Sequence, residues 1–252
     1  MTEGKPIALI TGATSGIGEA TARLLASKYQ LIICGRRKER LDLLERELAT
    51  EVYSLSFDVR NRAEVFEALE TLPPQWKSID VLINNAGNAH GLDFIQDGNV
   101  DDWDAMMDIN VKGLLYVSKA IIPGMVDRKK GHIVNISSIA GLEVYAKGNV
   151  YCASKHAVDA LTKGMRMDLN QHGIKVTSID PGLVETEFSE VRFKGDSERA
   201  KSVYQHFTPL TAMDVAETIE FVVNRPPHVM IGDLMILPTD QASSTIVNKK
   251  PK

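Results

Sequence analysis

The sequence predicts an α/β fold: one domain with a doubly wound parallel sheet of seven strands and helices on both of its faces. Seven short apolar runs recur along the 252 residues, as expected for strands that are buried on both faces. Amphipathic helical patterns stand between these runs, and this alternation implies parallel pairing through right-handed crossovers. Because no internal repeat or linker divides the chain, residues 1–252 are predicted to form a single domain.

The apolar runs place the predicted strands at residues 7–11, 31–34, 52–57, 80–84, 132–137, 175–180 and 234–237. Apolar residues three and four apart predict helices at 18–28, 37–49 and 61–72, and longer ones around 111–128 and 150–170. The stretches 86–100 and 181–200 lack clear periodicity, and each follows the carboxyl end of a strand. Ligands of open α/β sheets bind at that edge, so these stretches are the predicted walls of a site.

The composition argues against large charged partners. A net charge of -4 and a pI near 5.9 give no overall attraction to nucleic acid or anionic lipid. No apolar run approaches the length of a membrane span and no signal-like segment opens the chain, so a cytoplasmic protein is expected. Cys34 and Cys152 are interpreted as small packing residues. The histidines form no metal-ligand grouping, so no metal is expected.

The first strand is followed by the glycine-rich segment TGATSGIG, which includes Gly12, Gly16 and Gly18 and opens a helix. Glycines allow a tight turn and a close approach to a pyrophosphate, whose charge the helix N-terminus stabilises. Glycine triplets also occur in purely structural turns, but the position directly after a strand favours dinucleotide binding. The intervening Thr14, Ser15 and Ile17 are therefore included in the predicted cofactor site.

The end of the second strand carries Arg36 and Arg37, where an NAD site normally presents an acidic residue. Two guanidinium groups favour the 2′-phosphate of NADP. The alternative, that they are only the polar start of a helix, is less favourable because cations oppose the helix dipole there. NADP is thus the predicted cofactor.

Tyr151 and Lys155 stand four residues apart on one face of a predicted helix. Such pairs are common on exposed helix faces, so the pair alone indicates little. Ser138 lies thirteen residues earlier, at the carboxyl end of a strand, and Asn110 lies in a helical segment. Together with TGATSGIG, NNAG, YCASK and PGLVET, in order along essentially the whole chain, this set resembles the short-chain dehydrogenase/reductase family.

The resemblance implies a Rossmann fold and roles for further residues. Lys155 is expected to hold the nicotinamide ribose and Asn110 to position a water in a proton relay. Asp58 is expected to contact the adenosine, and its alternative role is that of a helix cap. The remaining expected cofactor contacts are, around the adenosine, Asp58, Val59, Asn85, Ala86 and Gly87, and around the nicotinamide, Pro181, Gly182, Val184 and Thr186.

The chemistry of the set can be argued from the side chains themselves. A free tyrosine has a pKa of about 10, and a cation within about 4 to 6 Å lowers that value. Lys155 is expected to supply this cation, so that Tyr151 exchanges a proton with the substrate oxygen. Ser138 is expected to hydrogen-bond the same oxygen and stabilise its developing charge.

The segment around 187–205 is expected to form a lid over the substrate. Its run VRFKGD, with the preceding PGLVETEFS, resembles the NADP-dependent 3-hydroxy acid dehydrogenases of the family, which act on serine, L-allo-threonine and related short acids such as 3-hydroxypropanoate. Such a substrate needs a cation for its carboxylate, and Arg192 is the first candidate, with Lys194 second. Alternatively, both are solvated helix charges.

Other functions remain open at this stage. A carrier-linked 3-oxoacyl group or another carbonyl compound would suit the same catalytic set, and a module that only senses NADP(H) or acts as a scaffold is the non-enzyme alternative. The family resemblance also suggests a homotetramer, with small and apolar residues on the helices around 111–128 and 150–170 at the interface.

Overall fold

Seven parallel strands form the central sheet of the computed structural model, which describes residues 4–250 of the chain. All seven predicted strands are present, and no boundary differs from the prediction by more than one residue. The sequence analysis missed two further strands of two residues each, which pair in a separate small sheet. In chain order the strands are β1 (Ile7–Thr11), β2 (Gln30–Gly35), β3 (Val52–Ser56), β4 (Ile79–Asn84), β5 (Gly131–Ile136), β6 (Ile174–Pro181), β7 (Val184–Glu185), β8 (Leu210–Thr211) and β9 (Asp233–Ile236).

The sheet has the strand order β3-β2-β1-β4-β5-β6-β9, with every pair parallel. The chain winds outward from β1 in one direction through β2 and β3, and then in the other direction from β4 onward. This arrangement confirms the predicted doubly wound fold, and a ligand crevice is expected beside β1, beyond the carboxyl ends of the strands.

The central strands are mainly apolar because both faces of the sheet are covered. In β2, Leu31 and Ile33 pack into the core on one face, whereas Ile32 and Cys34 pack into the core on the other. Neighbouring residues of a strand point to opposite faces, so a strand between two helical layers needs an unbroken apolar run. This is the physical origin of the runs from which the strands were predicted.

Helices cover both faces of the sheet. On one face α1 packs against α9, and on the other α3 packs against α5. Each of these helices turns an apolar stripe toward the sheet. In chain order the α-helices are α1 (Gly16–Leu25), α2 (Lys38–Glu47), α3 (Arg62–Glu70), α4 (Val100–Met107), α5 (Leu114–Arg128), α6 (Asn149–Leu169), α7 (Phe188–Arg192), α8 (Ser197–Val203) and α9 (Ala212–Val223).

Helices α4 and α5 are joined without a break by a π-helical segment, Asp108–Gly113. The resulting helix Val100–Arg128 is long and apolar enough by composition to cross a membrane, but 44% of its most apolar window is buried within the protein. Buried core helices have the same composition, so the helix by itself does not indicate membrane insertion. Asn110 lies in the π-helical segment, a type of irregularity that often occurs at functional sites.

The predicted lid contains α7 and α8, joined by a turn in which Lys194 and Gly195 have positive φ angles of 54° and 91°. Strand β7 precedes this segment and β8 follows it, and the two strands pair with each other. The two ends of the lid segment are therefore held together beside the carboxyl end of β6.

Candidate active site

A cavity of about 510 Å³ lies beyond the carboxyl ends of the central strands. It brings together nearly all of the residues that the sequence analysis placed in a site. Gly18, Asn110 and Lys194, the second candidate for the substrate carboxylate, are not in its wall. The predicted residues that line the cavity are Gly12, Thr14, Ser15, Gly16, Ile17, Arg36, Arg37, Asp58, Val59, Asn85, Ala86, Gly87, Ser138, Tyr151, Lys155, Pro181, Gly182, Val184, Thr186 and Arg192.

The loop between β1 and α1 has the backbone that a phosphate-binding turn requires. Gly12 and Gly16 have φ angles of 67° and 53°, which residues other than glycine rarely adopt. A Cβ atom on Gly18 would overlap the Gly12 carbonyl and the Asn85 amide, so Gly18 allows the helix to pack closely on the turn. The N-terminus of α1 thus faces the cavity with little side-chain bulk in front of it, as pyrophosphate binding requires.

Arg37 links this loop to the end of β2. Its guanidinium donates hydrogen bonds to the hydroxyls of Thr14 (3.0 Å) and Ser15 (2.8 Å). The same group contacts the Glu187 carboxylate at 2.9 Å, and Arg40 contacts that carboxylate at 2.7 Å. Cationic groups therefore collect beside the phosphate loop, and Glu187 at the start of the lid segment is bound to them.

Arg36 is more exposed and lies 3.7 Å from the Asp58 carboxylate. Asp58 also accepts a 2.6 Å hydrogen bond from Arg60, and these contacts lower the pKa of Asp58 despite its partial burial. The alternative that Asp58 caps the next helix is wrong, because Asn61 is the N-cap of α3. Asp58 instead stands in the cavity wall beside Val59.

The NNAG segment after β4 closes the floor of the cavity. The Asn85 amide donates to the backbone carbonyls of Thr11 (2.9 Å) and Gly12 (3.2 Å), which fixes the phosphate-loop turn. Gly87 leaves room for its neighbours, because a Cβ atom there would lie 3.0 Å from Asn110 Oδ1 and 3.5 Å from Lys155 Nζ.

Tyr151, Ser138 and Lys155 meet at the centre of the cavity. Tyr151 and Ser138 are neighbours in the cavity wall, and the Ser138 hydroxyl donates to the Pro181 carbonyl at 3.4 Å. The Lys155 ammonium is buried and donates to the Ile136 carbonyl at 2.9 Å. The first turns of α6 and the end of β5 thus present a phenol, a hydroxyl and a cation at one place.

The protonation of this group differs from the sequence-based expectation. Burial raises the pKa of Tyr151, and the neighbouring Ser138 hydroxyl and the Arg192 charge oppose this rise only in part. Burial also lowers the pKa of Lys155 to about 8, against the attraction of Asp180. We expected Lys155 to lower the pKa of the phenol, but its ammonium bonds to a backbone carbonyl, and loss of solvent contact is the larger effect on Tyr151.

Asn110 lies behind the cavity wall, with 2% of its surface exposed. Its amide donates to the Asn88 carbonyl at 2.8 Å and to the Ser154 hydroxyl at 3.0 Å, and its oxygen accepts from the Asn88 backbone N–H at 2.9 Å. These contacts join the π-helical segment to α6 and to the loop after β4. In this position the side chain supports the cavity wall, and its predicted role in a proton relay stays a prediction.

The segment after β6 runs from Pro181 to Thr186 along the cavity. The Thr186 side chain lies over Gly16 of the phosphate loop, 3.3 Å from where a Cβ would stand. Gln241, in the C-terminal segment, accepts a 2.8 Å hydrogen bond from the Leu183 backbone N–H. This loop is therefore held from both sides.

Arg192 reaches from the end of α7 into the centre of the site. Its guanidinium carbon lies 5.5 Å from the ring centroid of Tyr151 and 5.7 Å from that of Tyr145. Lys194, the second candidate, points elsewhere and pairs with Asp102 at 2.9 Å. Of the two predicted cations, only Arg192 lines the cavity.

Sequence reasoning missed several polar residues of the cavity wall, among them Tyr145, Glu187 and Gln241. Tyr145 lies six residues before Tyr151, a position that carried no signal of its own. Glu187 was placed in the lid without a partner, and Gln241 stood in a segment too irregular to interpret. Within residues 4–250, the structure has no group of three side chains that could hold a metal ion.

Comparison with known proteins places this site in a family. A model of the short chain dehydrogenase family matches residues 6–197. The chain is 47% identical over 238 residues to an NADP-dependent 3-hydroxy acid dehydrogenase of Salmonella typhi, covering 94% of this chain and 96% of that protein. It is 40% identical over 235 residues to a serine 3-dehydrogenase of Rhizobium radiobacter, covering 93% and 94%.

A solved structure has the same architecture. The closed form of a serine dehydrogenase complexed with NADP⁺ superimposes with a TM-score of 0.93 at 44% identity, covering 97% of this chain and all of that one. The family match and the identity of these relatives extend over most of the sequence. The chain therefore belongs to the short chain dehydrogenase family.

Proposed function

We propose that this protein is an NADP-dependent oxidoreductase that interconverts the 3-hydroxyl and 3-oxo forms of short acids such as serine, L-allo-threonine and 3-hydroxypropanoate. The observation that carries the proposal is the position of Arg192, which places a cation 5.5 Å from the Tyr151 ring inside the cavity. The names of the relatives support the same reaction class and substrate class.

The cavity fits a dinucleotide with a 2′-phosphate. The glycine turn leaves the N-terminus of α1 open to a pyrophosphate, and Arg36 and Arg37 stand beside it for the additional phosphate. Asp58, Val59 and the NNAG segment would hold the adenosine, and the loop Pro181–Thr186 together with Lys155 would hold the nicotinamide half. When bound, the nicotinamide supplies the hydride donor or acceptor.

Tyr151 is proposed to exchange a proton with the substrate oxygen. Because its pKa is raised, the phenol keeps its proton at neutral pH, which suits proton donation to a carbonyl during reduction. In the oxidation direction the phenol must lose that proton, and the Lys155 and Arg192 charges favour the deprotonated form. Ser138, beside Tyr151 in the cavity wall, would stabilise charge on the substrate oxygen.

Arg192 is proposed to bind the substrate carboxylate. A guanidinium attracts a carboxylate through charge-assisted hydrogen bonding, so it would direct the substrate hydroxyl toward Tyr151. The lid segment would also exclude water, since Phe188 packs edge-on against the Tyr151 ring with centroids 5.7 Å apart. Asn110 is proposed to act in the proton relay and to hold the wall around these groups.

The two alternative functions make different demands on this cavity. A carrier-linked 3-oxoacyl group has no free carboxylate and would leave Arg192 without an anion, so the geometry favours the free acid. A module that only senses NADP(H) would have no need for a phenol, a serine hydroxyl and a lysine ammonium at one point. Absorbance of NADPH on addition of substrate distinguishes that module from an enzyme.

We also propose a homotetramer in the cytoplasm. On the helices expected at the interface, Leu115 of α5 and Met167 of α6 are 36% and 75% exposed. Such apolar residues gain from contact with a second copy of the chain. Light scattering at micromolar concentration should give four times the mass of the chain, and a monomeric mass would contradict this part of the proposal.

Arg192→Ala tests the proposed substrate class. A charge-assisted contact is worth about 1.5 to 3 kcal/mol, so the Michaelis constant for 3-hydroxypropanoate should rise about ten- to a hundredfold. Methyl 3-hydroxypropanoate, which has no charge, should be affected little. Arg199→Ala is a matched control, because Arg199 lies in the same lid segment but over the Phe193 ring. Equal effects on acid and ester, or no effect on either, would contradict the assignment of Arg192.

A further inference from the structure

The phenol of Tyr145 is a hydrogen-bond partner of Arg192. The Arg192 Nη2 atom donates a 3.1 Å hydrogen bond to the Tyr145 hydroxyl, and its Nε atom donates to the Gly91 carbonyl at 3.2 Å. Two of the guanidinium nitrogens are thus held from opposite sides. Among the described residues, the third nitrogen, Nη1, has no hydrogen-bond partner.

The Tyr145 hydroxyl has a proton to donate. A phenol oxygen that accepts a hydrogen bond from a guanidinium still carries its own O–H, and among residues 4–250 that O–H has no acceptor. Burial raises the pKa of Tyr145, although the Arg192 charge opposes this, so the group stays protonated at neutral pH. Tyr145 and Arg192 both line the large cavity, where an anion would meet donors from each.

The backbone fixes the Tyr145 ring in this place. The Gly148 backbone N–H donates to the Tyr145 carbonyl at 3.1 Å, which closes a turn before α6. A Cβ atom on Gly148 would overlap the Tyr145 ring. Lys147, inside this turn, has a φ of 67°. The ring is therefore seated on the glycine at the start of the helix that carries Tyr151.

We propose that Tyr145 and Arg192 form a single carboxylate-binding pair, in which the Nη1 group of Arg192 donates to one oxygen of the substrate carboxylate and the Tyr145 hydroxyl donates to the other. This inference rests on the proposed function and names a further specificity-determining residue for it. The two donors, one from Arg192 and one from Tyr145, match a carboxylate, which is planar, carries one negative charge and has an acceptor oxygen for each of them. The pair therefore selects free acids over their esters and amides.

The position of the pair also limits the length of the substrate. Arg192 lies within 6 Å of both rings, at 5.7 Å from Tyr145 and 5.5 Å from Tyr151. A carboxylate held there keeps the rest of a short acid next to the Tyr151 phenol. Acids with the hydroxyl at carbon 3 should therefore be used better than acids with the hydroxyl several carbons further away.

Tyr145→Phe tests the inference, because it removes the hydroxyl and keeps the ring under Arg192. The Michaelis constant for 3-hydroxypropanoate should rise about tenfold, while kcat and the use of the methyl ester stay close to their original values. Propanoate cannot react, but it should inhibit turnover of the ester. Its inhibition constant should rise by a similar factor in the variant. This second readout measures carboxylate binding without turnover of the acid.

A double variant separates a pair from two independent contacts. If both residues bind one carboxylate, Tyr145→Phe combined with Arg192→Ala should cost less than the product of the two single effects. Tyr204→Phe serves as a comparison, because Tyr204 is another cavity phenol but donates to the Val184 carbonyl, so acid and ester should change by the same factor.

The outcomes distinguish this inference from the proposed function. If Arg192→Ala discriminates acid from ester and Tyr145→Phe does not, the pair is wrong and the proposed function stands. If the unmodified enzyme uses the acid no better than the ester and propanoate does not inhibit, both are overturned. A Tyr145→Phe effect that is equal on acid and ester would also contradict the pair.

Discussion

The ammonium of Lys155 lies 6.0 Å from the ring centroid of Tyr151, and its hydrogen bond goes to the Ile136 carbonyl. Among the described residues, the ammonium forms no hydrogen bond to the phenol, so it acts as a neighbouring charge. Burial of Tyr151 outweighs it, which leaves the pKa of the phenol raised. Lys155 is better placed to hold a ribose and to keep positive charge near the reacting oxygen than to ionise the phenol by itself.

Tyr151→Phe should retain NADPH binding and lose nearly all turnover. The variant keeps the ring that packs on Phe188 and removes only the group that exchanges a proton, so a loss of about 10² to 10⁴ in kcat is expected. Steady-state kinetics and NADPH titration measure the two properties separately. Tyr53→Phe, at a tyrosine that packs at a tilt against Trp76 and does not line the cavity, is the control. Substantial residual turnover would mean that the proton is exchanged elsewhere.

The Arg36→Ala/Arg37→Ala double variant should lose the preference for NADP. Removal of two cations beside the phosphate loop should raise the Michaelis constant for NADP by about ten- to a hundredfold and leave that for NAD nearly unchanged. Kinetics with each cofactor at saturating acid measure the effect. Arg46→Ala, an exposed arginine at the other end of α2, should have no such effect. Comparable efficiency of the unmodified enzyme with both cofactors would refute the prediction.

Gln241→Met should weaken cofactor binding although the residue is far from the glycine loop in sequence. Gln241 is 5% exposed, and its loss leaves the Leu183 N–H without its acceptor, beside Gly182. We expect the dissociation constant for NADPH to rise about tenfold, since a buried hydrogen bond to the loop is lost. Gln241→Glu, which keeps an acceptor oxygen, should recover part of the affinity, and the exposed Asn248→Ala is the control for the same segment.

His132 should make the fold sensitive to acid. The residue is 3% exposed, and its Nε2 atom shares a 2.8 Å hydrogen bond with the Thr177 hydroxyl. Burial lowers the pKa of His132 to about 3. An unfolded histidine has a pKa of about 6.5, so between pH 6.5 and 3 the unfolded state binds more protons and stability falls as the pH falls. Above pH 6.5 this contribution is constant.

Denaturant unfolding at pH 7 and pH 5 measures the effect. His132 alone should cost about 2 kcal/mol of unfolding free energy between these pH values. His132→Gln should reduce this dependence on pH, whatever its stability at pH 7, while the exposed His228→Gln should leave it unchanged. If the unfolding free energy changes equally with pH in the unmodified protein and in His132→Gln, groups other than His132 cause the sensitivity to acid.

Local patterns were sufficient to predict the strands of the central sheet and five of the nine α-helices that residues 4–250 form, although α9, which packs against α1, was missed. Apolar runs such as residues 31–34 are needed wherever a strand is covered on both faces, so burial leaves a direct mark on the sequence. The glycine loop and the Tyr151–Lys155 spacing are equally local, because a turn and a helix face are each formed by neighbouring residues. The fold class could therefore be predicted from these patterns, and the centre of the site from the resemblance of the ordered motifs to the family.

Contacts between distant segments were decided only by the tertiary structure. Glu187 meets Arg37 across 150 positions, and Arg192 meets Tyr145 across 47. Such contacts depend on how the loops pack at the edge of the sheet, and no periodic pattern records them. The raised pKa of Tyr151 belongs to the same class, because side-chain type states which groups can ionise, whereas burial by the whole fold determines how readily they do so.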